Sequence, residues 1–165
     1  LFFFKPDGTL DTLMQAVGLG QYTQLWLGNP NIINVSLAGA SVWRYMGFNF
    51  IIFLGAISSI QKDVYEASDI DGANRWQQFR HIILPSITRI LQLNLILAIS
   101  GAISAFDIPY IMTDGSNGSE TFVIQTVHLA FKYGKLGLAS AMAVVLLFIV
   151  ILVTLVQRVT MKGEE

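Results

Sequence analysis

Ala141-Met142-Ala143-Val144-Val145-Leu146-Leu147-Phe148-Ile149-Val150 holds no polar side chain, and no charge occurs anywhere between Leu136 and Val156. That length matches the roughly 20 apolar residues an α-helix needs to cross the hydrocarbon core of a bilayer. Working outward, two more stretches meet the same requirement, Ile32 to Ile57 and Ile87 to Phe106. Lipid offers no partner to backbone N–H and C=O groups, so a spanning segment is a helix or a strand of a closed barrel. These segments lack the alternation of barrel strands and are too long for them. The expected fold is an all-α membrane protein with three spanning helices.

Composition agrees. Of 165 residues, 53% are hydrophobic and only 13% charged, whereas a soluble domain carries about 25% charged residues to face water. A net charge of −1 gives no electrostatic footprint for nucleic acid. The absence of cysteine excludes disulfides and thiolate ligands. The two histidines, His81 and His128, are far apart in sequence with no acidic cluster around both, so neither a metal site nor a cofactor is expected. The opening run Leu1-Phe2-Phe3-Phe4 lacks the basic region and small-residue cleavage site of a signal peptide. It reads as the tail of an earlier spanning helix, so the chain is expected to be a fragment.

Basic residues set the orientation, because Lys and Arg favour the cytoplasmic side. Lys62, Arg75, Arg80 and Arg89 lie between the first two spans, and Arg158 and Lys162 follow the third. Lys5, Lys132 and Lys135 lie on the other side, and Arg44 is inside the first span. The 58–86 loop and the C-terminus are therefore expected in the cytoplasm. On the opposite side, Asp-Gly-Ser-Asn-Gly-Ser at 114–119 reads as a flexible, turn-rich connection.

The 58–86 loop has internal order. Ser58 and Gln61 stand at capping-box spacing, which predicts a helix start there. Asp71-Gly72 predicts its end, and a second short helix follows from about Ala73 to Ile83. Trp76, Phe79, Ile82 and Ile83 recur on one face of that helix at three- and four-residue intervals. Leu84-Pro85 is expected to close the unit. One physical reading is a rigid helix–turn–helix elbow offering charge and aromatic anchors to a partner. The other is an interfacial helix hiding Trp76 and Phe79 among lipid headgroups.

Glu66-Ala67-Ser68, then Gly72, then Ile82-Ile83-Leu84-Pro85 resembles the EAA signature of binding-protein-dependent ABC importer permeases. Ser68 replaces the second alanine, and Gln61 stands where sugar permeases commonly have proline. The likeness extends to Trp26-Leu27-Gly28-Asn29-Pro30, to Trp43 with Gly47-Phe48, and to Asp69-Ile70-Asp71-Gly72-Ala73, all similar to the sugar-uptake branch. Phe106-Asp107 with Tyr110 and Thr113 is also similar, although Gly115-Ser116-Asn117-Gly118 replaces the family's Gly-Gly-Pro.

The resemblance implies a partial permease domain over 1–165, its spans being the last three of a six-helix permease of the bacterial cytoplasmic (inner) membrane. It implies a coupling loop at 58–86 that docks on a cytoplasmic ATP-binding subunit through Glu66, Ala67, Ser68, Gly72, Ala73, Trp76, Phe79, Leu84 and Pro85. It further implies a second permease subunit, and a periplasmic or lipid-anchored solute-binding protein.

No chemistry of its own is expected of the chain. Gly134-Lys135 is followed by Leu136 rather than Ser or Thr, so there is no phosphate-cradling loop. Asp69-x-Asp71-Gly72 is too short for a calcium loop. Polar residues within spans are costly and often functional. Trp43, Arg44, Asn94 and Asp107 are thus candidates for the substrate pathway, against belt anchoring, snorkelling and interhelical hydrogen bonding as ordinary alternatives. The competing functions are a permease for another solute, such as an amino acid or phosphate, and a membrane scaffold, which has no need of Glu66, Gly72 and Pro85 at these intervals.

Overall fold

A computed structural model describes residues 3–162, and every regular element among them is helical. In chain order these are α1 (Thr9–Ala16), α2 (Ile33–Ser58), α3 (Lys62–Ile70), α4 (Arg75–Gln78), α5 (Leu84–Ile103), α6 (Asp107–Thr113), α7 (Phe122–Val127) and α8 (Leu136–Lys162). The three predicted spans correspond to α2, α5 and α8. The third overshoots its expected end because Gln157 and Arg158 continue the helix instead of stopping it.

Three helical stretches, Ile33–Ser58, Arg75–Thr113 and Leu136–Met161, are long and apolar enough to cross a membrane, yet only 6% of each apolar window is buried within the chain. Phe48, Ile51, Leu97, Phe148 and Leu152 are each between 64% and 70% exposed. In water such surface would cost about 25 cal/mol per Å². Against lipid tails or neighbouring apolar helices it costs nothing of the kind, so these faces are built for the bilayer.

The chain forms two compact units. One contains the residues up to Arg44 together with Ala102–Leu152. Its interior is centred on Ile33 and Ile124, both 0% exposed, with Leu37, Leu129 and Ala139. Asp11, 5% exposed, ties down the N-terminal stretch. Its carboxylate accepts from Trp26 Nε1 at 2.7 Å and from the Asp7 N–H at 2.9 Å. The Ser36 hydroxyl then donates to the Trp26 carbonyl at 2.9 Å, holding that loop on α2. The other unit contains Tyr45–Gly101 and the residues from Val153 onward. Among its described residues Ala56, Ile87 and Gln78 are buried. There α5 meets α8 through Gln92, which donates to the Met161 carbonyl at 3.5 Å, and through the Ser100 and Thr154 hydroxyls, 3.3 Å apart.

Two expectations are corrected. Of the run expected to end an earlier span, Leu1 and Phe2 lie outside the described residues. Phe3 and Phe4 sit in a turn, their rings edge-to-face at 5.1 Å, and not in a helix. The stretch beyond it holds α1, too short for periodicity to reveal. Finally, residues 114–119 are turn-rich but tightly held: Ser119 is 3% exposed, its hydroxyl 2.6 Å from that of Thr113, and Asn117 Nδ2 donates to the Leu27 carbonyl at 3.0 Å.

Candidate functional site

The elbow begins at Lys62. Ser58 is the last residue of α2, so it cannot cap α3 as its spacing with Gln61 suggested. Gln61 itself is the N-cap, extended at φ −61°, ψ 138°, with no side-chain cap. The capping box lies one helix later. Asn74 Oδ1 accepts from the Gln77 N–H at 2.9 Å, and Gln77 Oε1 accepts from the Asn74 N–H at 2.8 Å. Two N–H groups that the start of α4 would leave unpaired are thereby satisfied reciprocally.

Between these helices Gly72 takes φ +77°. Its N–H donates to the Asp69 carbonyl at 3.1 Å, and the Ala73 N–H donates to the Ser68 carbonyl at 3.0 Å. This pair of bonds is a Schellman closure, which needs a left-handed residue at the turn. A Cβ on Gly72 would meet nothing within 4 Å. Among the described residues, therefore, it is the backbone angle and not crowding that requires glycine.

A residue the sequence reading missed holds the elbow shut. Gln78, 3% exposed, donates through Nε2 to Ser68 Oγ at 2.9 Å and to Asp69 Oδ1. The Ser68 hydroxyl in turn donates to the Tyr65 carbonyl at 2.8 Å. Serine in place of the family's alanine is thus a hydrogen-bonding member of the turn, beyond its small size. The only signal in the sequence was a glutamine beside the Trp76–Phe79 stripe.

Leu84-Pro85 does not close the unit. The chain passes from α4 through a π-helical turn at Phe79–Ile83 straight into α5, with Leu84 helical at φ −59°, ψ −47°. Proline lacks an N–H and crowds the carbonyl four residues back, which ordinarily kinks a helix. Here the wider turn, with the Leu84 N–H donating to the Phe79 carbonyl five residues earlier, accommodates the ring near the start of α5.

The remaining elbow residues face outward. Glu66 Oε1 is 2.8 Å from Lys62 Nζ, with the two side chains 59% and 86% exposed. Such a pair contributes only a few tenths of a kcal/mol, so Glu66 is accessible at little cost. Ala67 is exposed, Ala73 half-buried, and Leu84 and Pro85 exposed. Trp76 and Phe79 stack at 5.6 Å, with Trp76 67% exposed. The Trp76–Phe79 end of the predicted stripe is therefore exposed.

Of the pathway candidates, Arg44 and Asp107 meet: Nη2 lies 3.2 Å from Oδ2, the side chains 47% and 56% exposed. Trp43 belongs to the same unit and is 79% exposed. Asn94 belongs to the other unit, and its Nδ2 is buried without a hydrogen-bond partner. Gln157, on α8 in that unit, buries both amide atoms in the same way.

Comparison with known proteins closes the question of kinship. Residues 1–162 match the family described as binding-protein-dependent transport system inner membrane component. The chain is 35% identical over 168 residues to the probable ABC transporter permease protein YurN of Bacillus subtilis, covering 99% of this chain and 58% of that protein. Crystal structures of a bacterial alginate ABC transporter have the same fold. One, of the transporter involved in import of this acidic polysaccharide, gives a TM-score of 0.85 at 20% identity over 98% of this chain and 57% of its own. The other, in complex with an alginate pentasaccharide-bound periplasmic protein, gives 0.83 at 21% identity over 94% and 55%. The chain thus spans a little over half the length of the proteins it resembles. It belongs to the family of inner-membrane permease components of binding-protein-dependent ABC importers.

Proposed function

We propose that this chain supplies the coupling loop and part of the translocation pathway of a permease subunit that imports sugars. In this reading the elbow over 58–86 docks on a cytoplasmic ATP-binding subunit. A second permease subunit completes the pathway, and a periplasmic or lipid-anchored solute-binding protein delivers the substrate. The observation that carries the coupling role is the closed, outward-facing elbow, with Glu66 and the Trp76–Phe79 pair exposed on a frame fixed by Gly72 and Gln78. A charge and an aromatic anchor on a rigid frame are what a docking surface requires. The sugar class is favoured by the Trp43 and Asp69–Ala73 contexts, and by a polysaccharide importer of the same fold.

The test is co-purification of the full-length permease with its candidate ATP-binding subunit, comparing wild type with Glu66→Lys and Gly72→Pro. Loss of the complex in both variants, with membrane insertion intact, supports the docking role. Unchanged association returns the loop to an interfacial helix and removes the docking role.

A further inference from the structure

The Arg44–Asp107 pair is an unusual construction for a spanning helix. Arg44 lies eleven residues into α2, about 16 Å along its axis. An ion pair kept only to tie helices together is replaceable by apolar packing at little or no loss. Here both side chains are about half exposed, so the pair is not a sealed interior tie.

Its surroundings supply two further observations. Asp107 opens α6 directly after a break in which Ser104–Phe106 leave the helical path, with Phe106 at φ −135°, ψ −60°. The break falls where the second span ends, so Asp107 stands at the start of the short helix that follows it. One carbonyl freed by the break, that of Ala105, accepts from Thr121 Oγ1 at 2.7 Å. Phe106, which precedes Asp107, and Tyr110, one helical turn further on, stack their rings at 4.7 Å and 21°, with Tyr110 38% exposed.

We propose that Arg44, Asp107 and the Phe106–Tyr110 stack form a polar–aromatic seat for a polyhydroxylated substrate. A sugar presents neighbouring hydroxyls that both donate and accept, beside flat faces of C–H groups. Here a guanidinium donor and a carboxylate acceptor stand 3.2 Å apart, close to the spacing of two neighbouring ring hydroxyls. The Phe106–Tyr110 stack, whose residues flank Asp107 in sequence, offers the apolar platform. Both charges are fixed by each other before substrate arrives, so little ordering remains to be done on binding.

This inference rests on the sugar reading, and the experiment separates the two. The complete transporter, with its solute-binding protein, is reconstituted in proteoliposomes. Uptake is measured for a panel of labelled mono- and disaccharides and for glycine betaine, in wild type, Arg44→Ala, Asp107→Asn and the charge-swapped Arg44→Asp/Asp107→Arg. Assembly of each variant is checked by co-purification. A rise of at least tenfold in KM for a transported sugar in both single variants, not recovered in the swap, supports the seat. Recovery in the swap makes the pair a structural tie and overturns the proposal. Uptake within twofold of wild type in the single variants overturns it as well. Wild-type uptake of glycine betaine with none of the sugars overturns the sugar reading, and with it the substrate assigned to the seat.

Discussion

Gln78 reaches across the Gly72 turn and donates through Nε2 to Ser68 Oγ at 2.9 Å, ten positions earlier. The same nitrogen donates to Asp69, so one carboxamide holds both sides of the turn from a position 3% exposed. Gln78→Ala removes these bonds without adding a clash. It should destabilise the elbow locally by about 1–2 kcal/mol, which means amide exchange over 62–78 faster by roughly 5- to 30-fold. Ser68→Ala should cost less, about 0.5–1 kcal/mol, because Asp69 still accepts from Gln78. Exchange measured by mass spectrometry on the full-length permease in nanodiscs decides this, and unchanged rates in Gln78→Ala would remove the clamp from the account.

The turn itself gives a second expectation. Gly72→Ala places an L-residue at φ +77°, at a cost of roughly 1–2 kcal/mol. Gly72→Asn should cost less, since asparagine tolerates that region. Because a Cβ meets nothing in the chain, both variants should insert in the membrane as wild type does. Co-purification with the ATP-binding subunit discriminates further. If Asn binds as poorly as Ala, the docked partner leaves no room for a side chain there. If Asn binds better, only the backbone angle matters.

At the N-terminal stretch, Trp26→Phe deprives the Asp11 carboxylate of its indole donor at 5% exposure. A buried acceptor left short of a partner costs about 1–3 kcal/mol. Protection of amides 7–16 should fall while that of the spans is retained, again read by exchange. Uniform loss of protection along the chain would show that the contact is global and not local.

Gln157 gives the opposite sign. Both of its amide atoms are buried with no partner, so Gln157→Leu should leave stability unchanged or raise it by up to about 1–3 kcal/mol. A thermal melt of the purified permease in detergent measures it. A clear fall in Tm would mean that the amide is bonded in the assembled protein.

The spans were legible because length and apolarity determine a membrane helix almost alone, and Leu136–Val156 could be read in no other way. Gly72 was legible too, since few residues adopt its angle. Three features were not. Ser58 and Gln61 have capping-box spacing, but α2 runs on through Ser58, and a pattern of four residues cannot report how far the preceding helix extends. Pro85 reads locally as a stop, and only the widened turn at 79–83, a property of the backbone path, cancels it. Gln78 acts through residues ten positions away, beyond any helical period. Among the pathway candidates, Arg44 and Asp107 stood out by charge, but their meeting across 63 positions is a fact of tertiary structure.

The passage from α4 through the π-helical turn into α5 is continuous, so the second arm of the elbow and the second span share one run of helical backbone. In the coupling reading, a displacement of the Trp76 end is handed to that span along the backbone itself, with no loop between them to take it up. The π-helical turn is what lets a proline stand within such a run.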